Sequence, residues 1–295
     1  MAGEATVQDT LDQEIAGLDA LDALRDEGRP RRLPQLWSAA WPKLAGFGIV
    51  LMVWQVVVWT HWKSETVLPG PVAAFKELGS SLSSGRLQDA LFTTMQRALL
   101  GFGLAVAIGT GLGAAMYQST FIRRAFGSII SGLQSMPSIA WFPLSLILFG
   151  TSEVTILFVV VLGAFPSVAN GLLAGVDHIP PLLLRAGRVL GAKGFDSFRH
   201  VVLPAALPGY VAGLKQGWAF AWRSLMAGEL IVVIAGKKSI GTELHFAQDL
   251  LDAPRVLSMM IVILVIGILV DAVVFAAIER GIRRRRGLIE VGTAS

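Results

Sequence analysis

Apolar residues gather along this chain into six long runs, at about 44–62, 94–117, 128–150, 154–176, 207–234 and 256–279, each bounded by polar or charged segments. A helix needs about 20 mostly apolar residues to cross a bilayer, so each run predicts a spanning helix. The second, third and fifth runs are rich in Gly, Pro and Ser, which suits helices packed on one another rather than bathed in lipid. In the second run Gly109 and Gly113 form a small-xxx-small pair that lets helix backbones approach closely. The pattern predicts an all-α membrane protein with six transmembrane helices in one domain over 44–280. Tails at 1–43 and 281–295 flank it.

Composition agrees: 54% of residues are hydrophobic, 16% are charged, and the mean hydropathy is +0.63. Lys and Arg placement then sets the orientation. With a cytoplasmic N-terminus, the inside segments hold sixteen Lys and Arg and the outside segments six. Both termini and the segment 177–206 are therefore expected in the cytoplasm. Cytoplasmic membrane anchors account for the net charge of +4, so no nucleic-acid partner is expected. There is no cysteine, which excludes disulfides and thiol chemistry. The four histidines (His61, His178, His200, His245) form no ligand pair at helical or hairpin spacing, so no metal site is expected.

Residues 1–28 carry eight Asp or Glu against one Arg, with Val7, Leu11, Ile15, Leu18, Leu21 and Leu24 at roughly helical spacing. Neither the basic start nor the apolar core of a signal peptide is present. A partly disordered tail and a helix docking on its own complex both fit. Pro30 and Pro34 mark a linker into the first membrane helix.

One loop has a specific signature. The run Arg185-Ala186-Gly187-Arg188-Val189-Leu190-Gly191 is followed, nine residues later, by Val201-Val202-Leu203-Pro204. It resembles the EAA loop of binding-protein-dependent ABC importer permeases: E-A-A, three residues, Gly, nine residues, I-x-L-P. Arg185 stands where that family has Glu, and Gly187 where it has the second Ala. Val67-Leu68-Pro69-Gly70-Pro71 resembles the L-P-S-P segment of the nitrate, sulfonate, taurine and bicarbonate group. Pro137-Ser138-Ile139-Ala140-Trp141-Phe142-Pro143-Leu144 resembles that group's P-x-x-A-W-x-P-L. Phe165-Pro166-Ser167 with Asn170-Gly171 also fits the group, and Ser239-Ile240-Gly241 stands where it often has G-L-G. Together these resemblances cover roughly residues 67–280.

The resemblance implies a type I ABC importer permease fold. It implies a docking loop over 177–206, made of two short helices that turn at Gly191 and seat on a separate ATPase. Arg185, Ala186, Gly187, Gly191, Ala192, Phe195, Leu203 and Pro204 would form that loop. It also implies a permease homodimer, two cytoplasmic ABC ATPase subunits and an extracytoplasmic solute-binding protein. ATP and Mg would sit on the ATPase, leaving no cofactor on this chain.

Charges within the apolar runs each ask for an explanation, because they are expensive in lipid. Arg97 and Lys215 lie near helix ends, within snorkelling reach of water. Arg223 lies sixteen residues in from Leu207, roughly 24 Å at about 1.5 Å per residue. Trp218 and Trp222 flank it, and Glu229 follows six positions on. Two readings stay open: Arg223 faces an aqueous path where it meets an anion, or it pairs with Glu229. Pro137, Trp141, Asn170, Trp218, Trp222, Arg223 and Glu229 are the candidate path residues. Proline in a spanning helix frees carbonyls, which is tolerable against protein or water.

No catalytic centre is expected. The nearest approach to a phosphate-binding loop, Gly236-Lys237-Lys238, has Ile231 in place of the first Gly and Lys238 in place of the hydroxyl. The chain reads as the permease subunit of an ATP-driven importer in the bacterial cytoplasmic membrane. Its solute would be a small organic or inorganic anion such as a sulfonate, taurine or nitrate. The rivals are a passive six-helix channel or facilitator and a non-transporting membrane scaffold; neither predicts a docking loop.

Overall fold

A computed structural model describes residues 32–285, with side chains from 41 to 284. The acidic tail at 1–28, Pro30 and the basic tail beyond Arg285 lie outside the described residues. The chain divides into two units, one ending at Lys63 and the other beginning at Ser64.

The first unit holds helix α1 (Arg32–Trp59). It begins well ahead of residue 44, so Pro34 falls in its first turn rather than in a linker. There a missing N–H leaves no helical bond unmade.

The second unit is built of helices, and no strand occurs among the described residues. Its first helix, α2 (Pro71–Ser83), opens on Pro71, whose fixed φ suits a first helical position. Helix α3 (Arg86–Gln118) follows, then α4 (Thr120–Ser135), a 3₁₀ turn at Ser138–Trp141 and α5 (Phe142–Phe149). Helix α6 (Glu153–Asp177) leads into α7 (Pro181–Val189), the short α8 (Gly194–Ser197) and a π turn at Phe198–Val202. Helix α9 (Leu203–Ile231) is followed by α10 (Ile240–Asp249) and α11 (Ala253–Leu269). The last continues through a π segment, Val270–Phe275, into α12 (Ala276–Arg285).

Among the described residues, Trp41–Trp59, Arg86–Gln118, Glu153–Asp177 and Ala253–Arg284 are long and apolar enough to cross a membrane. The expected third span is broken instead of continuous: Thr120–Ser135 and Ser138–Phe149 meet at 104°. Pro137 is the cause. A proline pushes the residue before it out of the helical region, and Met136 adopts φ −77°, ψ 132°. The expected fifth span exists as the 29-residue α9 but is less apolar than the other four. A helix enclosed by protein needs small side chains more than greasy ones.

Helix α6 is the axis of the unit, packed along its length against α3 on one side and α9 on the other. The α6–α9 contact is backbone on backbone. A Cβ on Gly213 would lie 2.5 Å from Gly171 Cα, and one on Gly209 would lie 2.5 Å from Gly175 Cα. The predicted Gly109–Gly113 pair does the same for α3, since a Cβ on Gly109 would lie 2.6 Å from the Phe165 carbonyl oxygen. Pro166 and Ser167 are buried within this packing.

Candidate functional site

The 177–206 segment is a two-sided element. Helix α7 ends in a Schellman turn: the Ala192 N–H donates to the Gly187 carbonyl at 3.0 Å and the Gly191 N–H to the Arg188 carbonyl at 3.1 Å. Gly191 occupies the left-handed position of that turn, with φ 85°. L-residues with a Cβ avoid that conformation. The turn reverses the chain so that Phe198 and Val202 reach inward, where they pack with Leu172, Val176 and Ile179. The Tyr117 and Phe198 rings lie 6.0 Å apart.

The outer side carries what the inner side does not use. Val189 and Leu190 are each 87% exposed and Phe195 67%, beside exposed Arg185, Ala186, Arg188 and Lys193. Ala192 and Leu203 are half-buried and Pro204 is exposed. Gly187 departs from expectation. It faces inward, buried against Val201, whose Cγ2 would lie 2.9 Å from an added Cβ. It serves the contact between α7 and the π turn, not the outer surface.

A second feature runs along α9. Its exposed positions Pro204, Pro208, Ala212, Gln216, Ala219 and Arg223 are spaced three or four apart and form one stripe. Its members are small, apart from the polar Gln216 and Arg223. On α3 the exposed side chains include Phe92, Leu99, Leu100 and Leu104, and on α11 Met260, Leu264, Val265 and Ile268, as hydrocarbon contact requires. The lower part of the stripe borders a groove of about 720 Å³ between α6 and α9, lined by Asn170, Ala174, His178, Pro208, Ala212 and Gln216 among others. Asn170 donates to the Gln134 side chain at 2.5 Å across this region.

The candidate path residues separate into two groups. Arg223 and Pro137 are exposed, Asn170 and Trp141 half-buried. Trp218 and Trp222 are instead buried in the core, their rings stacked 6.3 Å apart. Glu229 is fully buried and has no contact with Arg223. It accepts hydrogen bonds from Arg97 at 2.9 Å, Thr94 at 2.8 Å and the Gly241 amide at 3.1 Å. Arg97, expected to snorkel, is likewise buried and also forks onto Glu153 with two bonds of 2.7 Å. One guanidinium thus joins α3, the start of α6 and the end of α9, while Thr94 holds the start of α10 by accepting from the Ile240 amide at 3.0 Å. Gly241 fits only as glycine, because a Cβ there would lie 2.3 Å from Glu229 Cβ.

Lys215 also has partners the helix-end argument missed: Asp271 at 2.9 Å and Glu279 at 3.7 Å. Asp271 lies in the π segment, where an extra residue per turn re-aims side chains. Thr94, Gln134, Glu153 and Asp271 were not singled out in the sequence. Two signals were available: Asp271 is an acid within the sixth apolar run, and Glu153 is an acid at the start of the fourth.

Comparison with known proteins draws these features together. The family described as "Binding-protein-dependent transport system inner membrane component" matches residues 107–284. The taurine transport system permease protein of Escherichia coli (strain K12) is 30% identical over 261 residues, covering 86% of this chain and 91% of that protein. The nitrate import permease protein of Synechococcus elongatus is 26% identical over 207 residues, covering 66% of this chain and 73% of that protein. Among solved structures, an inward-facing methionine ABC transporter superposes with a TM-score of 0.58 at 20% identity, over 67% of this chain and 96% of that one.

Proposed function

The chain belongs to the inner membrane components of binding-protein-dependent transport systems, and on that premise we propose how it works as the permease subunit of an ABC importer in the cytoplasmic membrane. Two copies stand around one path, with the α9 stripe of each turned toward it. The 177–206 loop lies on the cytoplasmic side with both termini and seats in a separate ABC ATPase, one for each copy. ATP and Mg belong to that partner, and this chain is non-catalytic. A solute-binding protein delivers a small anion of the sulfonate, taurine or nitrate kind from outside.

The observation that carries this reading is the two-sided loop. Its inner face is consumed by packing on α3 and α6, so its outer face can transmit force to those helices without being part of the core. Three large apolar side chains held out in water, Val189, Leu190 and Phe195, need a partner. Closure of the ATPase pair draws the two loops together, and the helices rock as rigid bodies between inward-facing and outward-facing states.

Phe195→Asp tests it, because an exposed side chain can be changed without disturbing the fold. The permease is expected to accumulate and insert as wild type while ATPase co-purification falls at least tenfold. Co-purification at the wild-type level removes the docking assignment.

A further inference from the structure

Arg97 and Arg223 both lie two turns or more inside their helices, and they are treated in opposite ways. Arg97 has two carboxylates and is buried. Arg223 has none among the described residues. The acid nearest to it on its own helix, Glu229, is saturated by Arg97, Thr94 and the Gly241 amide, and the acids facing α9 from the last helix are held by Lys215.

Its position makes this costly to ignore. Arg223 lies 20 residues from Leu203 and eight from Ile231, about 30 Å and about 12 Å at the helical rise. The side chain does not climb toward the nearer end. Its Nε donates to the Ala219 carbonyl at 3.0 Å and its guanidinium lies 4.7 Å from the centre of the Phe220 ring, both one turn back toward the middle of the helix. Phe220 supports one face of the guanidinium. With Nε occupied, the two terminal nitrogens remain, forming an exposed edge of N–H donors on the small-residue stripe.

We propose that this edge is an anion-selecting site in the path, taking an oxoanion group such as a sulfonate, nitrate or carboxylate. A guanidinium fork matches two oxygens of such a group, which a point charge does not. Ala219, one turn below, leaves room beside it, and Gln216 supplies the next polar group along the stripe, two turns below. This rests on the permease reading, and it adds what that reading lacks: the residue that gives the path its charge preference.

The test uses purified permease with its ATPase in lipid nanodiscs, titrated with sodium ethanesulfonate at ionic strength held constant with sodium chloride. Tryptophan emission is the readout, since Trp218 and Trp222 lie close by on α9. Wild type is expected to give a saturable change. Arg223→Gln should shift its midpoint at least tenfold, and Arg223→Lys, which keeps the charge and loses the fork, three- to tenfold. Tetramethylammonium should elicit a saturable change only in Arg223→Glu. No saturable change in wild type, or wild-type midpoints in Arg223→Gln and Arg223→Lys, overturns the proposal. Should Arg223→Gln fail to accumulate, Arg223→Lys decides alone. Failure of wild type to retain the ATPase would count against the permease reading and leave the titration to judge the arginine.

Discussion

At the scale of single residues, the decisive quantity is whether a charge taken out of water finds a partner. Removing one member of a buried ion pair strands the other, at a cost of about 3–5 kcal/mol. Glu229 has no exposure and three donors, so it depends on Arg97 more than Arg97 depends on the half-exposed Glu153. Arg97→Met should therefore destabilise by about that amount, seen as a lower Tm of the purified protein in nanodiscs. Arg97→Met with Glu229→Met should recover most of the loss, because both ends then become apolar. A double variant no more stable than the single one would mean that the contacts to Thr94 and Gly241, not the charge, hold this end together.

At the scale of elements, the α6–α9 pair is governed by what is missing from the side chains. Gly171, Gly175, Gly209 and Gly213 let two backbones touch, and backbone cannot yield as a flexible side chain can. Gly213→Leu should cost about 3 kcal/mol or more, at or beyond the upper end for overpacked cores. Gly111→Ala on α3, where an added Cβ meets nothing within 4 Å, should stay within about 0.5 kcal/mol. Thermal unfolding of the two variants side by side checks the contrast, and equal Tm values would contradict the packing described. The same contact explains why α9 fails a simple hydropathy test. Its sequence is tuned to protein and to a stripe of mostly small residues, with the large exposed apolar side chains on α3 and α11.

At the scale of the whole molecule, the reading commits the chain to one orientation. Reporter fusions after Glu65 and Gly236 should report the outside, and fusions after Arg124, Asp196 and Gly287 the inside. A reversal at Asp196 would put the docking loop on the wrong side of the membrane and remove the proposed coupling. On the proposed function, energy and solute capture come from other polypeptides, and this chain supplies an anchored lever and the path between them. Such a division lets the path bind solute weakly, since a tight site in the path would slow release.

Much of this was legible in one dimension. Runs of about 20 apolar residues and the left-handed glycine after Val189-Leu190 are local facts; the break at Met136-Pro137 has a local cause too, but the continuous apolar run over 128–150 hid it. They follow from bilayer thickness and from the steric limits on single backbone units, which need no knowledge of neighbours. The spacing of the 177–206 loop belongs with them. Partnership does not. That Arg97 binds Glu229 across 132 residues, that Lys215 reaches Asp271, and that Trp218 and Trp222 turn into the core all depend on which helices pack together and at what rotation. A charge in a sequence shows that a counter-charge is needed. Only the tertiary structure decides which acid meets it, and which arginine is left exposed without one, because ion pairing acts over a few ångströms of space and is blind to separation along the chain.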